Sequence, residues 1–242
     1  MGENGPVCIN DMSCMSCGHC VSVCPTGALD NSRCPYAETE PIPMEVLDAK
    51  TAYNFLRMRR SIRNFTPELV SEEKMKQLLD IARYAPTAAN SQGLYYIVVS
   101  DRELIKKITD CVADWMQEEI DNNSPRRRYF RKVLEVYRDR GVDIIGRNAK
   151  QLVFALARRL KVTGVSNCEQ AWAYVELYAP TLGLGTTIMG FIETCARADY
   201  APLRELLQVP QKQVIVGTLL VGYPKYKYNR LVDRQHLKVE FR

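Results

Sequence analysis

Four cysteines near the N-terminus follow one another at short, regular intervals: Cys14, Cys17, Cys20 and Cys24, with Pro25 directly after the last. Six of the nine cysteines of the chain lie within its first 34 residues, in a segment that is rich in Gly and Pro. This segment shows no long apolar period, so it has little with which to build a hydrophobic core. Clustered cysteines without a visible secretory signal favour a metal centre over disulfides. We therefore expect a small, loop-dominated module that is held together by metal.

The spacing of this run indicates which metal centre it binds. The pattern C-x2-C-x2-C-x3-C followed by Pro is the run that ligates iron–sulfur clusters in bacterial ferredoxins. Three thiolates two residues apart can wrap one corner of a cubane, and N–H groups of the loop can donate to its sulfurs. Zinc is the alternative, but zinc sites more often show two separated pairs of ligands. The run therefore predicts a 4Fe–4S cluster.

The segment resembles a two-cluster ferredoxin module of which only one half is present. In such modules the cysteine before Pro ligates the other cluster. The safest ligands are the first three cysteines of the run: Cys14, Cys17 and Cys20. The fourth ligand stays open between Cys24 and Cys34, which precedes Pro35, and Cys8 is a weaker candidate. We expect residues 1–36 to form this partial ferredoxin-type module.

From Met44 onward the pattern changes to amphipathic helices and short apolar strands. Helical periodicity or capping predicts helices at 44–58, 71–84, 101–121, 125–141 and 167–182. Runs of β-branched and aromatic residues predict strands at 94–100, 151–156, 214–223 and 237–241. The irregular order of helices and strands favours an α+β fold over regular βαβ units. We expect residues 44–242 to form one main domain.

A basic turn follows the first predicted helix of this domain, with the sequence Arg59-Arg60-Ser61-Ile62-Arg63. Three guanidinium groups and a hydroxyl at this spacing suit a phosphate, because Arg forks match phosphate oxygens and Ser adds a further donor. An exposed basic turn without a ligand is the alternative interpretation of the same residues.

Three further segments accompany the basic turn. The stretch 86–92 (Pro-Thr-Ala-Ala-Asn-Ser-Gln) holds small and amide residues that can lie against a flat ring and hydrogen-bond its edge. The glycine-rich stretch 183–190 follows a long apolar helix, where a simple helix C-cap is the alternative. Gly222-Tyr223-Pro224 leads to Arg230 and Arg234 near the end of the chain.

These four segments, in this order, resemble those of the nitroreductase family of FMN-dependent oxidoreductases. The resemblance covers roughly residues 44–242, and an N-terminal ferredoxin module is a recurring variant of that family. It implies a three-layer α/β/α sandwich with a mainly antiparallel sheet. Family members are homodimers that bind FMN at the subunit interface, and the C-terminal segment, here 237–241, commonly embraces the other subunit.

The resemblance also implies roles for individual residues at the phosphate end of FMN. Arg59, Arg60 and Ser61 would hold the phosphate and the ribityl chain. Arg234, and less surely Arg230, would add phosphate contacts near the end of the chain.

At the ring, the resemblance puts Arg63 near the N1/O2 edge, where positive charge stabilises the anionic reduced flavin. Met189 and Gly190 would offer backbone N–H groups to the N5 side. Three residues would line the ring and reach FMN that is bound mainly to the partner subunit: Pro86, Thr87 and Asn90. The family usually has a Pro-aromatic pair at 93–94, where this chain has Gly-Leu, so contacts there are expected to differ.

The family reduces nitroaromatics, quinones and activated alkenes, with a lid and substrate contacts that here match 112–164. No P-loop or GxGxxG fingerprint is present, so NAD(P)H would stack on the flavin. Pairing a one-electron cluster with a flavin also points to reduced ferredoxin as a donor. The alternatives are narrower chemistry on the same fold, such as reductive dehalogenation or flavin breakdown, a non-catalytic electron carrier or redox sensor, and a zinc-bearing binding protein.

The net charge of +5 is unevenly distributed, because residues 125–161 hold twelve Lys or Arg and three Asp or Glu. This run could attract nucleic acid, an acidic protein or an anionic substrate, or could be a solvated helical face. No nucleic-acid motif accompanies it, so we expect no nucleic-acid partner. The apolar stretches are too short to span a bilayer and no signal peptide is visible, so we expect a cytoplasmic protein without membrane contact.

Overall fold

The computed structural model describes residues 14–44, 47–160 and 162–242. Cys8, the weakest of the candidate ligands, lies outside these residues. The helices are α1 (His19–Val23), α2 (Ala49–Met58), α3 (Glu72–Asp80), α4 (Arg102–Asp121), α5 (Arg127–Leu134), α6 (Gly164–Tyr178), α7 (Gly190–Arg197) and α8 (Ala201–Leu206). The strands are β1 (Tyr95–Val99), β2 (Gln151–Arg158), β3 (Gly185–Ile188) and β4 (Gln213–Gly222). Short 3-10 turns cover Tyr36–Glu38, Ile81–Tyr84, Ala88–Asn90 and Ala179–Leu182, and a π-helical turn covers Glu135–Asp139.

The four strands form one antiparallel sheet in the order β1-β2-β4-β3. The central strands β2 and β4 are buried along almost their whole length. Strands buried on both faces are apolar at nearly every position, which explains the continuous apolar runs that predicted them. The register sets Gln151 opposite Val221 and Thr186 opposite Val221, so the end of β4 lies between the starts of β2 and β3.

Helices cover both faces of the sheet and enclose two hydrophobic cores. The side chains of β2 alternate between them: Leu152, Phe154 and Leu156 lie in one core, and Val153, Ala155 and Ala157 in the other. This is the two-residue period of a strand. Residues of α4, α5, α7 and α8 complete the first core, and residues of α3 and α6 complete the second. The predicted three-layer sandwich with a mainly antiparallel sheet is confirmed.

Most predicted elements are present, with ends that differ by a few residues. Ser71 caps α3 as expected, because its hydroxyl accepts a hydrogen bond from the backbone N–H of Lys74. The first helix of the domain begins only at Ala49, because the Asp48 carboxylate caps it by accepting from Lys50 and Thr51. The predicted helix 125–141 is α5 continued by the π-helical turn.

Two parts of the chain differ from the prediction. The predicted strand 237–241 is wrong for the single chain: no strand is formed there, and Leu237 and Phe241 are 86% and 91% exposed. Alternating side chains do not make a strand without an edge to pair with. Three elements are present that the sequence did not predict: the strand β3 within the glycine-rich stretch 183–190, and the helices α7 and α8 that follow it. Within the described ranges, no helix is long and apolar enough to cross a membrane.

Candidate functional site

The basic turn runs along the edge of the sheet, beside β3 and the residues that follow β4. Ser61 forms a parallel bridge with Thr186, and the Ile62 N–H donates to the Thr186 carbonyl at 2.9 Å. A few residues later Phe65 forms an antiparallel bridge with Pro224. Three of the four segments predicted from the sequence therefore meet in one place, namely the basic turn, the glycine-rich stretch and the end of β4.

Two glycines make this close approach possible. A Cβ at Gly185 would lie 2.6 Å from Ile62 Cγ1, and a Cβ at Gly222 would lie 2.9 Å from Phe65 Cδ1. Both distances are well below normal carbon–carbon contacts. The glycines thus let the basic turn lie directly against both strands, which fixes the position of its side chains.

The Arg59 side chain is held by a buried acid that the sequence analysis did not single out. Its Nη1 lies 3.5 Å from Glu176 Oε1 on α6 and 3.4 Å from Ser61 Oγ. Burial raises the pKa of Glu176, and the Arg59 guanidinium opposes that rise. The available signal was an acidic residue among the apolar positions of the helix 164–178, which holds one other acid, Glu169. Arg59 keeps further N–H donors for a ligand, because a guanidinium has five.

Arg60 connects the basic turn to the C-terminal segment. Its Nη2 donates to the Arg230 carbonyl at 2.7 Å, and its guanidinium lies 5.4 Å from the centre of the Tyr228 ring. The side chains of the other arginines that the sequence pointed to are exposed: Arg63, Arg230 and Arg234. Tyr228 and Arg230, near the end of the chain, therefore lie at the same edge of the sheet as the basic turn.

The residues after β3 present a backbone donor to open space. Gly190 is the first residue of α7, so its N–H has no acceptor within the helix. A Cβ at Gly190 would meet no atom within 4 Å. Met189 is buried, and its carbonyl accepts from the Thr218 hydroxyl at 3.2 Å. A flat ligand can therefore approach the backbone at Gly190.

The stretch 86–92 is hydrogen-bonded to the cysteine module. The Asn90 side-chain amide donates to the backbone carbonyls of Met15 at 3.0 Å and Ser16 at 2.9 Å. Asn90 has a positive φ of 49°, an uncommon conformation that asparagine tolerates. Pro86 is exposed and Thr87 half-buried. No hydrogen bond among the described residues joins this stretch to Arg59, Arg60 or Ser61, so its expected contact with flavin stays a prediction.

The cysteine thiols have hydrogen-bond donors around them. Asn31 Nδ2 lies 3.7 Å from Cys14 Sγ, and the backbone N–H of Ser16 followed by Asn31 lowers the pKa of Cys14. Hydrogen bonds from Thr26 and then from backbone N–H groups lower the pKa of Cys24 to about 7. Donors that favour the thiolate are what a cluster ligand requires.

Cys34 lies against the cysteine run although it is ten residues beyond it. Gly18 has a φ of 74°, and a Cβ there would lie 2.5 Å from Cys34 Sγ. The five candidate cysteines of the described module are free thiols, with Cys17 and Cys20 exposed. Across the described chain, no three His, Cys, Asp or Glu side chains are arranged as ligands of a metal ion. The fit to a cluster therefore rests on the spacing of the cysteines and on the chemistry of their surroundings.

Comparison with protein families matches two parts of the chain. Residues 56–223 match the nitroreductase family, and residues 7–30 match the 4Fe-4S binding domain. An NADH dehydrogenase/NAD(P)H nitroreductase of Archaeoglobus fulgidus is 29% identical over 170 residues, which cover 69% of this chain and 82% of that protein. An FMN reductase [NAD(P)H] of Bacillus subtilis is 28% identical over 172 residues, which cover 68% of this chain and 62% of that protein.

Solved structures share the fold at lower sequence identity. A nitroreductase with bound FMN from Desulfitobacterium hafniense superposes with a TM-score of 0.61 at 17% identity, covering 78% of this chain and 97% of that one. A BluB-like flavoprotein from Clostridium difficile also gives 0.61 at 17% identity, covering 76% and 94%. The family match spans well over half of the chain, and these solved structures share its fold. This chain therefore belongs to the nitroreductase family of flavin oxidoreductases.

Proposed function

We propose that this chain is an FMN-dependent oxidoreductase that passes electrons from NAD(P)H or reduced ferredoxin, by way of a 4Fe–4S cluster, to a small acceptor. The acceptor is of the class of nitroaromatics, quinones or activated alkenes. The observation that carries the proposal is the meeting of the basic turn with β3, with the end of β4 and with the C-terminal segment. FMN is further supported by the FMN named for the Desulfitobacterium structure and for the Bacillus relative.

The phosphate of FMN would lie at Arg59, Arg60 and Ser61. Arg59 is held by Glu176 and Arg60 by the Arg230 carbonyl, so both guanidinium groups are ordered before a ligand arrives. Ordered donors lose less conformational entropy on binding. The Arg230 carbonyl lies at Arg60, so the exposed side chain of Arg230 would add positive charge near the phosphate. Arg234 follows four residues later and would add to it. This arrangement supports binding of a dianionic phosphate.

The flavin ring would lie along the residues after β3. Gly190 offers a free backbone N–H beside open space, and Met189 fixes the backbone before it through the Thr218 hydroxyl. Arg63 would face the N1/O2 edge with its positive charge. Bound FMN supplies hydride or single-electron transfer, and the protein positions the ring and excludes water.

The second side of the ring would come from another copy of the chain. Among the described residues, Pro86, Thr87 and Asn90 form no hydrogen bond with the basic turn of the same chain, which supports a role toward the flavin of a partner. The exposed apolar residues of 237–241 support an arm that lies on that partner. We therefore propose a homodimer with FMN at its interface.

The cluster would be held by Cys14, Cys17 and Cys20, with Cys24 or Cys34 as the fourth ligand. Asn90 hydrogen-bonds the loop between Cys14 and Cys17. This contact joins the proposed module 1–36 to the main domain 44–242 at the very stretch that would line a flavin ring, which supports electron transfer between the two cofactors. Free thiols and the metal motif fit the reducing cytoplasm.

The test is an absorption spectrum of protein purified without oxygen, with iron, sulfide and released flavin measured on the same sample. We expect one FMN and about four irons per chain, as a single cubane requires. Oxidation of NAD(P)H or reduced ferredoxin with a nitroaromatic then separates an enzyme from an electron carrier. Absence of flavin after FMN is added back would overturn the proposal. Flavin without iron would remove the cluster from it and leave the flavin chemistry.

A further inference from the structure

The helix α5 carries a group of cations that have no acidic partners. Its exposed cationic residues, together with its N-cap residue, are Arg126, Arg127, Arg128, Arg131 and Lys132. None of them takes part in an ion pair with another described residue. Among their side chains, only that of Arg127 has a described hydrogen bond, which it donates to the backbone carbonyls of Asn123 and Ser124. Other cations of the domain, such as Arg138, Arg159 and Arg197, are paired with carboxylates. The positive charge of α5 is therefore available to a ligand.

The same helix also presents an aromatic ring beside the proposed flavin site. The ring of Tyr129, which is 57% exposed, lies 5.8 Å from the ring of Phe191. Phe191 follows Gly190, whose backbone N–H would face the flavin. The opposite side of α5 is anchored in the core by Phe130, Val133 and Leu134. Packing on one side thus directs Tyr129 and its neighbours outward next to residues 189–191.

Spacing on the helix puts two of the free cations beside this ring. Arg126 lies three residues before Tyr129 and Lys132 three residues after it, and residues at this spacing share a helix face. An aromatic ring flanked by cations binds planar molecules that carry negative charge, because the ring stacks on them and the cations pair with the anion. The contact between the Tyr129 and Phe191 rings distinguishes α5 from a helix whose exposed face carries only solvated charges.

We propose that the acceptor of this enzyme is a planar aromatic compound with a carboxylate or similar anionic substituent, stacked near Tyr129 with its anion at Arg126 and Lys132. The inference rests on the proposed flavin function and names its substrate class. For a nitroaromatic acceptor the balance is two electrons and two protons per step. One NAD(P)H and one proton convert the nitro group to a nitroso group and water.

The experiment compares 4-nitrobenzoate with 4-nitrobenzamide, which has nearly the same shape and no charge. With FMN-loaded protein and NAD(P)H, we expect kcat/KM for the benzoate to exceed that for the benzamide by about tenfold, the factor that one charge-assisted hydrogen bond supplies. The ratio should fall as salt is raised, because exposed charges are screened. The ratio should fall toward one in the double variant Arg126→Gln, Lys132→Gln.

A matched control removes the same charge elsewhere. Lys107→Gln with Lys212→Gln changes two exposed lysines outside α5, and we expect it to keep the benzoate preference. A second readout is independent of turnover: benzoate and benzamide are titrated into oxidised protein while the flavin absorbance is followed. Benzoate should bind more tightly than benzamide, and the α5 variant should lose the difference.

The outcomes separate this inference from the function on which it rests. If neither nitro compound is reduced, the proposed function fails. If 4-nitrobenzamide is reduced as efficiently as 4-nitrobenzoate in the unaltered protein, only the inference is overturned. A preference that survives in the α5 variant, or disappears equally in the control variant, overturns it as well.

Discussion

The substitution Gly185→Ala tests whether the basic turn owes its position to the close approach at β3. A Cβ at this position would lie 2.6 Å from Cγ1, 2.8 Å from Cβ and 3.0 Å from Cγ2 of Ile62. Contacting carbons normally stay about 3.5 Å or more apart. Since one of the clashing atoms is a Cβ rather than the flexible end of a side chain, a rotamer change does not relieve the contact. The turn that carries Arg59, Arg60 and Ser61 must move away from β3.

The size of the effect follows from this overlap. Overpacking of this kind costs about 1–3 kcal/mol, and we expect about 2 kcal/mol here. For a domain of this size that corresponds to a fall in Tm of about 4–8 °C. A displacement of the turn also breaks at least one charge-assisted hydrogen bond to the phosphate, worth about 1.5–3 kcal/mol. We therefore expect FMN affinity to fall by about tenfold or more.

The assay is thermal unfolding of the apoprotein together with FMN titration by flavin fluorescence. Gly93→Ala is the matched control, because a Cβ there would lie 3.6 Å from the Ser91 carbonyl oxygen, an ordinary contact. Ile62→Ala removes two of the three clashing atoms, so its combination with Gly185→Ala should be less harmful than the sum of the two changes. A Gly185→Ala protein with the Tm and FMN affinity of the control would refute the reasoning.

Three further predictions concern single side chains. Arg60→Ala should weaken FMN binding by about tenfold, because a charge-assisted hydrogen bond to the phosphate is lost. Arg158→Ala, which removes an exposed arginine elsewhere, should leave FMN binding unchanged. Equal effects of the two changes in an FMN titration would contradict a phosphate site at Arg60. Burial raises the pKa of Glu176, so the folded protein holds that proton more tightly than the unfolded chain. Its contribution to stability is present at acid pH and is lost as the pH rises from the ordinary carboxyl pKa through the raised value. The apoprotein Tm of Glu176→Gln should fall less over that range than the Tm of the unaltered protein, and parallel profiles would argue against the buried acid. Asn90→Ala removes both hydrogen bonds to the cysteine loop, each worth about 1 kcal/mol. Protease should then cut the module faster, and the module should lose iron faster in air. Unchanged rates of cleavage and of iron loss would show that the contact does not hold the loop.

Several elements could be predicted from the chain alone because their signals are local. Ser71 caps α3 through a residue three positions away, and the buried strands β2 and β4 stand out as apolar runs. β3 could not be found in this way. It is short, contains Gly and Thr, and exists because it pairs with β4. The converse error at 237–241 has the same origin, since alternation without a paired edge leaves an exposed arm.

By itself, the sequence predicted the family and, through the family resemblance, the three-layer fold, both of which are confirmed; it also predicted the chemistry of the two candidate cofactor sites. The cofactor predictions depend on residue types at short spacing, as in the cysteine run and in Arg59–Arg63, and short spacing is preserved in any fold. The family and the fold followed from the resemblance of four segments in their order along the chain. Only the tertiary structure decided which distant segments meet: Ser61 with Thr186, Arg60 with Arg230, and Asn90 with the cysteine loop. Those contacts depend on sheet register and helix packing, which form between residues far apart in the chain. For that reason Glu176 and the aromatic face of α5 became visible only in the folded protein.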